Sequence, residues 1–128
     1  MKVLLDMHAF IWWDSDPGKL SSPARTACED RANVVLLSVA SAWEMQIKLQ
    51  LGKLDLRLPL AEVIANQQKA NDLQILPVVL GHVLALQELP THHTDPFDRL
   101  LIAQANIEEV VLLSHDPVFA QYPVKVLW

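Results

Sequence analysis

Val3-Leu4-Leu5-Asp6 is a short apolar run closed by a carboxylate, and two later stretches repeat the pattern: Val34-Val35-Leu36-Leu37-Ser38, with Glu44 soon after, and Val110-Val111-Leu112-Leu113-Ser114-His115-Asp116. Runs rich in valine and leucine, with no polar residue alternating, suit strands buried on both faces. That is the condition of a parallel sheet covered by helices. A fourth carboxylate, Asp98, opens the amphipathic segment leading into the last run. In a parallel α/β sheet all strand C-terminal ends fall on one edge, and ligands bind in the crevice outside them. Asp6, Glu44, Asp98 and Asp116 are therefore expected to gather there.

The segments between these runs carry helical signals. One helix passes through His8, Phe10, Trp12 and Trp13 and stops at a turn of polar and breaker residues over 14–18. Ser21-Ser22-Pro23 opens another, with serine to cap it and proline in its first turn, reaching about residue 31. From Ser41 a largely buried helix carries Glu44, Gln46 and Lys48 and ends at Gly52. Residues 53–59 alternate as a short extended piece, 60–71 form an amphipathic helix, 73–77 a third strand, and 79–89 a helix stopped by Pro90. After a loop at 91–94, residues 95–108 carry the strongest helix signal in the chain. Residues 110–114 are a strand, 116–122 a turn or short helix, and 124–127 a terminal strand. This alternation predicts an α/β domain over residues 1–128, with a mainly parallel sheet and right-handed crossovers.

Composition narrows the function. Hydrophobic residues make up 52% of the chain and mean hydropathy is +0.21, which suits a sheet buried on both faces, a large exposed interface, or both. The apolar runs are too short to cross a membrane and the chain opens directly on a strand, so no span or signal peptide is expected, and a cytoplasmic location is. A single cysteine, Cys28, allows neither an intrachain disulfide nor a CxxC zinc site. No GxxxxGK[ST], GxGxxG or GxSxG motif is present, and Gly18, Gly52 and Gly81 stand alone. The net charge of −5 counts against nonspecific duplex binding. A cluster of carboxylates supplies most of that deficit, however, and bound cations would invert the local field.

Carboxylates brought together repel one another, so such a cluster implies a bound cation or raised pKa values. Hard oxygen ligands suit Mg²⁺ or Mn²⁺, which activate water and stabilise charge on a phosphate in flight. Phosphoryl transfer is thus the chemistry the set suits.

Four stretches carry a resemblance as well: Leu4-Leu5-Asp6-Met7-His8-Ala9; Ser38-Val39-Ala40-Ser41-Ala42-Trp43-Glu44 with Lys48 and Gly52-Lys53-Leu54; Asp95-Pro96-Phe97-Asp98-Arg99-Leu100-Leu101-Ile102-Ala103-Gln104-Ala105; and Leu113-Ser114-His115-Asp116. In this order they closely resemble the PIN domain, and more narrowly the VapC-type toxins of bacterial toxin-antitoxin pairs. The resemblance implies a three-layer α/β/α fold and a Mg²⁺- or Mn²⁺-dependent endoribonuclease. It further implies a protein held inactive by a cognate antitoxin and usually a homodimer. Asp6, Glu44, Asp98 and Asp116 match the family's acidic positions, and Ser114 matches a nearby hydroxyl position. Met7 departs from the pattern: the family commonly has a small hydroxyl residue there, so a hydrogen bond beside the metal is lost.

Each residue also has a plainer role open to it. Asp6 could be a strand-end turn residue, Glu44 a solvated helix residue, Lys48 its i,i+4 partner, and Asp116 a turn starter before Pro117. Asp95 reads chiefly as the N-cap of the helix in which Asp98 is the third residue. His92, His93 and His115 match no zinc spacing and read as loop residues, with contact to RNA or a base the other role open to them. Trp12, Trp13, Trp43 and Trp128 could stack bases, but Trp12, Trp13 and Trp43 lie on apolar helices and read rather as core or interface residues.

The reading that follows has Asp6, Glu44 and Asp98 holding one Mg²⁺, with Asp116 completing that site or a second one. Activated water then attacks an RNA phosphodiester in line, without a covalent intermediate. Two rivals remain: a metal-dependent phosphatase acting on small phosphoesters, and a non-catalytic RNA or protein interaction module of the same fold.

Overall fold

The five strands β1 (Lys2–Leu5), β2 (Val34–Ser38), β3 (Gln74–Leu76), β4 (Val111–Leu113) and β5 (Val126–Leu127) form one sheet in the order β3-β2-β1-β4-β5. Every neighbouring pair is parallel, so the sheet is wholly rather than mainly parallel. The structure is a computed structural model and describes all of residues 1–128. Across the three central strands the register aligns Val3 with Val35 and Val111, Leu4 with Leu36 and Leu112, and Leu5 with Leu37 and Leu113.

That register explains the unbroken apolar runs. Val3, Leu5, Val35, Leu37 and Leu113 point into one core, while Leu4 and Leu112 point into a second on the opposite face. The first core is closed by the helices α1 (Met7–Ser15), α2 (Ser22–Glu29), α3 (Val39–Gln50) and α4 (Leu60–Asn71), through Phe10, Cys28, Met45 and Val63 among others. The second is closed by α6 (Pro96–Glu108), through Leu101, Ile102 and Ala105, and by a 3₁₀ turn at Pro117–Gln121 through Phe119. Between β3 and α6 runs the short helix α5 (Leu80–Ala85), which packs on α6. The layers are therefore α/β/α. Each strand leucine buried on either face contributes about 1.5–3 kcal/mol. No helix is long and apolar enough to cross a membrane.

Local structure departs from the sequence expectations in four places. The third helix begins at Val39, not Ser41, because Ser38 ends β2 and caps α3 at once, its hydroxyl accepting from the Ala40 N–H at 3.0 Å. Gly52, at φ +70°, takes the left-handed position that closes the same helix. Residues 53–59 pair with no strand, and 79–89 divide into α5 and a 3₁₀ turn at Leu86–Glu88. Trp43 is not core: it is 61% exposed and lies edge-on to Phe97, with ring centroids 5.2 Å apart.

Candidate active site and metal centre

Asp6 leaves β1 and caps α1 in a single step. Its Oδ1 accepts from the Ala9 N–H at 2.8 Å, its Oδ2 accepts from the Ser114 hydroxyl, and its own N–H donates to the Leu113 carbonyl at 3.1 Å. Ser114 in turn accepts from the Asp116 N–H at 3.0 Å, so the ends of β1 and β4 are tied together through polar atoms. Burial pushes the Asp6 carboxyl above the ordinary carboxylate range; the bonds from Ser114 and Ala9 oppose the shift, and Asp116 adds to it.

Glu44 is buried on α3 and faces Lys48 one turn later, with Nζ 3.4 Å from its Oε2. Burial raises its carboxyl as well. Lys48 pulls the other way, Asp95 pushes further up, and His8 pulls down.

Asp98 is the third residue of α6, whose N-cap is Asp95; the Asp95 Oδ1 accepts from the N–H groups of Phe97 and Asp98 at 2.9 and 3.0 Å. The His93 Nε2 lies 2.9 Å from the Asp98 Oδ2. Burial lifts the Asp98 carboxyl to about 6, with His93 opposing and Asp95 and Glu44 adding. Asp116 is exposed and caps the following 3₁₀ turn, accepting from the Val118 N–H at 2.9 Å.

The four acidic residues predicted from sequence thus stand on one edge of the sheet as two linked pairs. Asp98 feels Glu44, Asp6 feels Asp116, and His8, in the first turn of α1, acts on both Asp6 and Glu44. One tighter group has its ligand atoms all within 4.8 Å of one another: His93, Asp95 and Asp98. Only Asp98 of the predicted set belongs to it.

His8 and His93 are neighbours of the site that sequence reasoning missed. His93 reads as a loop residue because nothing in His92-His93 says which ring turns toward a helix five residues away. Its placement comes from Arg99, whose Nη1 donates to the carbonyls of Pro90 at 2.7 Å and His93 at 3.4 Å.

Buried carboxylates held above their ordinary pKa fit a divalent cation, because a bound charge of +2 relieves both the desolvation and the mutual repulsion. Asp6, Glu44 and Asp98 are the three carboxylates raised in this way. A hollow lined by Lys2, Glu29, Arg31, Asn33 and Asp72 lies at the opposite, N-terminal ends of the strands and holds none of the four predicted residues.

Residues 3–125 match the PIN domain family. Over 104 residues, 80% of this chain and 78% of the relative, the sequence is 29% identical to Ribonuclease VapC22 of Mycobacterium tuberculosis. A chain in the crystal structure of VapBC2 from Rickettsia felis, bound to a DNA fragment from their promoter, is similar at a TM-score of 0.75 and 15% identity, over 99% of this chain and 98% of that one. A chain of VapBC-1 from nontypeable Haemophilus influenzae is similar at a TM-score of 0.58 and 13% identity, over 99% and 97%. At these identities the structural likeness speaks for the fold.

Proposed function

Because the chain belongs to the PIN domain family, we propose that it is an endoribonuclease that works with Mg²⁺ or Mn²⁺ as the toxin of a toxin-antitoxin pair. The observation that carries the metal-dependent reading is the set of three carboxylates, Asp6 and Glu44 buried and Asp98 half-buried, all raised above their ordinary pKa at the ligand-binding edge of a parallel sheet. These three would hold the cation, and Asp116 would complete that site or a second one. When bound, the cation lowers the pKa of water and takes charge off the phosphate.

The chain's own residues supply orientation. Ser114 and the Ala9 N–H fix both oxygens of Asp6, Lys48 steers Glu44, and His93 steers Asp98. Ser114 stands beside a carboxylate here, but its hydroxyl is engaged by Asp6 and by the Asp116 N–H, so water is the nucleophile of this reading and no covalent enzyme intermediate is needed.

The antitoxin of this reading presents an apolar helix and a basic side chain that reaches the carboxylates. Leu80, Val83 and Leu84 on α5 are exposed and supply a face for self-association into a homodimer.

Purified protein incubated with total cellular RNA and Mn²⁺ is expected to cut it, leaving 3′-hydroxyl and 5′-phosphate ends, and to stop in EDTA. A simple phosphate ester should be left intact. Undiminished cutting in chelator by nuclease-free protein would overturn the metal-dependent reading, and turnover of the ester but not of RNA would make the protein a phosphatase. Light scattering on the same sample reads the homodimer; a monomer at high concentration contradicts it.

A further inference from the structure

Five side chains beside the carboxylates form an aromatic and cationic patch that the catalytic set does not use. His8 and Trp12 come from α1, Lys19 from the 3₁₀ turn after it, His115 from between Ser114 and Asp116, and Trp128 from the residue after β5. The Trp12 ring lies 5.7 Å from His8, 6.1 Å from His115 and 5.9 Å from Trp128, and His115 lies 5.2 Å from Trp128. The Lys19 Nζ sits 6.0 Å from the centre of the Trp12 ring. None of these rings is stacked face to face on another, the interplanar angles running from 44° to 63°.

Burial divides the patch in a telling way. Trp12 and Trp128 are half-buried and rest on the core beneath, which fixes them in place, while His8 and His115 are exposed. The imidazole hydrogen bonds within the protein belong to His82 and His93, so the edges of His8 and His115 are free for a ligand. A cluster serving only the core would bury its polar rings or pair them.

Position supplies the rest. His115 lies between two residues tied to Asp6, and His8 acts electrostatically on both Asp6 and Glu44, so the patch borders the crevice directly. A chain of net charge −5 has little capacity to hold RNA by neutralising phosphates alone, so its grip must come largely from another source. Rigid aromatic faces beside a phosphodiester site supply one, because every unpaired base has a π-face to offer.

We infer that Trp12, His115 and Trp128, flanked by His8 and Lys19, form a stacking subsite for an unpaired RNA base next to the phosphate to be cut. This rests on the endoribonuclease reading. A duplex keeps its bases stacked on one another and cannot use the subsite.

The test is a tryptophan-fluorescence titration in EDTA with a single-stranded oligonucleotide and with a blunt duplex of the same sequence, beside KM and kcat for cleavage in Mn²⁺. The single strand is expected to quench and bind, and the duplex to bind far more weakly. His115→Ala and Trp128→Ala should each raise Kd and KM by about tenfold, within the range of one lost base stack, while kcat stays within about twofold. Trp128→Phe should recover most of the loss and Trp128→Leu should not. His115 is exposed, so its variant keeps the test decisive if Trp128→Ala melts early. Unchanged KM in folded His115→Ala, or equal binding of duplex and single strand, would overturn the subsite while cleavage by the wild type left the ribonuclease reading standing. Tight single-strand binding with no cleavage in Mn²⁺ would overturn the ribonuclease reading and leave the subsite.

Discussion

Asp95 and Asp98 sit three positions apart at the start of α6 and divide two tasks between them. Asp95 satisfies two helix N–H groups with one oxygen, whereas Asp98 keeps both of its oxygens off the backbone and meets His93. Asparagine caps nearly as well as aspartate, so Asp95→Asn should lose well under the roughly 1 kcal/mol typical of losing a cap to alanine, and should keep most of its cleavage. Asp98→Asn should fold equally well yet lose cleavage by orders of magnitude, along with most of its stabilisation by Mn²⁺. Melting temperature with and without Mn²⁺, set beside the cleavage rate, separates the two. A stable but inactive Asp95→Asn would show that Asp95 belongs with the metal ligands, as its place in the group with His93 and Asp98 allows. The capping role was legible because Asp-Pro at a helix start has one local geometry. The contact with His93 was not, since it depends on how a loop is pinned by Arg99.

At the level of elements, the sequence declared its strands through composition and hid its polar ties. Val3-Leu4-Leu5 has only one stable home, between two apolar layers, and the same holds for its counterparts in β2 and β4. The start of α3 was misplaced because Ser38 belongs to a strand and a cap together, which no pattern of apolar spacing reveals. A buried chain of bonds was invisible for a similar reason. The Ser38 hydroxyl donates to the Gln104 Oε1, the Gln104 Nε2 donates to the Pro77 carbonyl at 3.3 Å and meets the His82 Nδ1 at 3.3 Å, and the His82 Nε2 meets Glu108 at 3.0 Å. These partners lie far apart in sequence, and Gln104 and His82 look like ordinary helix residues until α5 packs on α6. Gln104→Leu keeps the volume but takes from the Ser38 hydroxyl its acceptor and from the Pro77 carbonyl its side-chain donor. It should cost about 1–3 kcal/mol, read as a lower urea midpoint at unchanged slope. A midpoint equal to wild type would mean that the network contributes nothing to holding α5 and α6 on β2.

For the whole molecule, the convergence of the carboxylates sets how stability responds to pH and metal. The nearness of Asp6 to Asp116 was legible because both follow central strands of a parallel sheet; the nearness of Glu44 to Asp98 was not, because both stand on helices and meet only through the packing of α3 and α6. Burial holds all three above their ordinary pKa, Asp98 at about 6 against an ordinary 3.8. A folded-state pKa raised in this way means that the native protein keeps its proton where the unfolded chain has lost it. The contribution is fully present below the ordinary value and is lost as pH rises through the raised one. In EDTA, the part of the stability owed to Asp98 should therefore fall between pH 4 and about 6 and level off above. Saturating Mn²⁺ should reverse the trend, because the cation binds the ionised carboxylates and stabilises the fold more as they deprotonate. Asp98→Asn carries no titrating group at that position, so the difference between its melting curve and the wild type's isolates the effect from every other group. The wild type should lose more stability than the variant across this window in EDTA, and should gain more from Mn²⁺ at pH 7 than at pH 5. Parallel curves for the two proteins in EDTA would mean that Asp98 is ionised in the native protein throughout, and that no strain is stored at this edge for a cation to relieve.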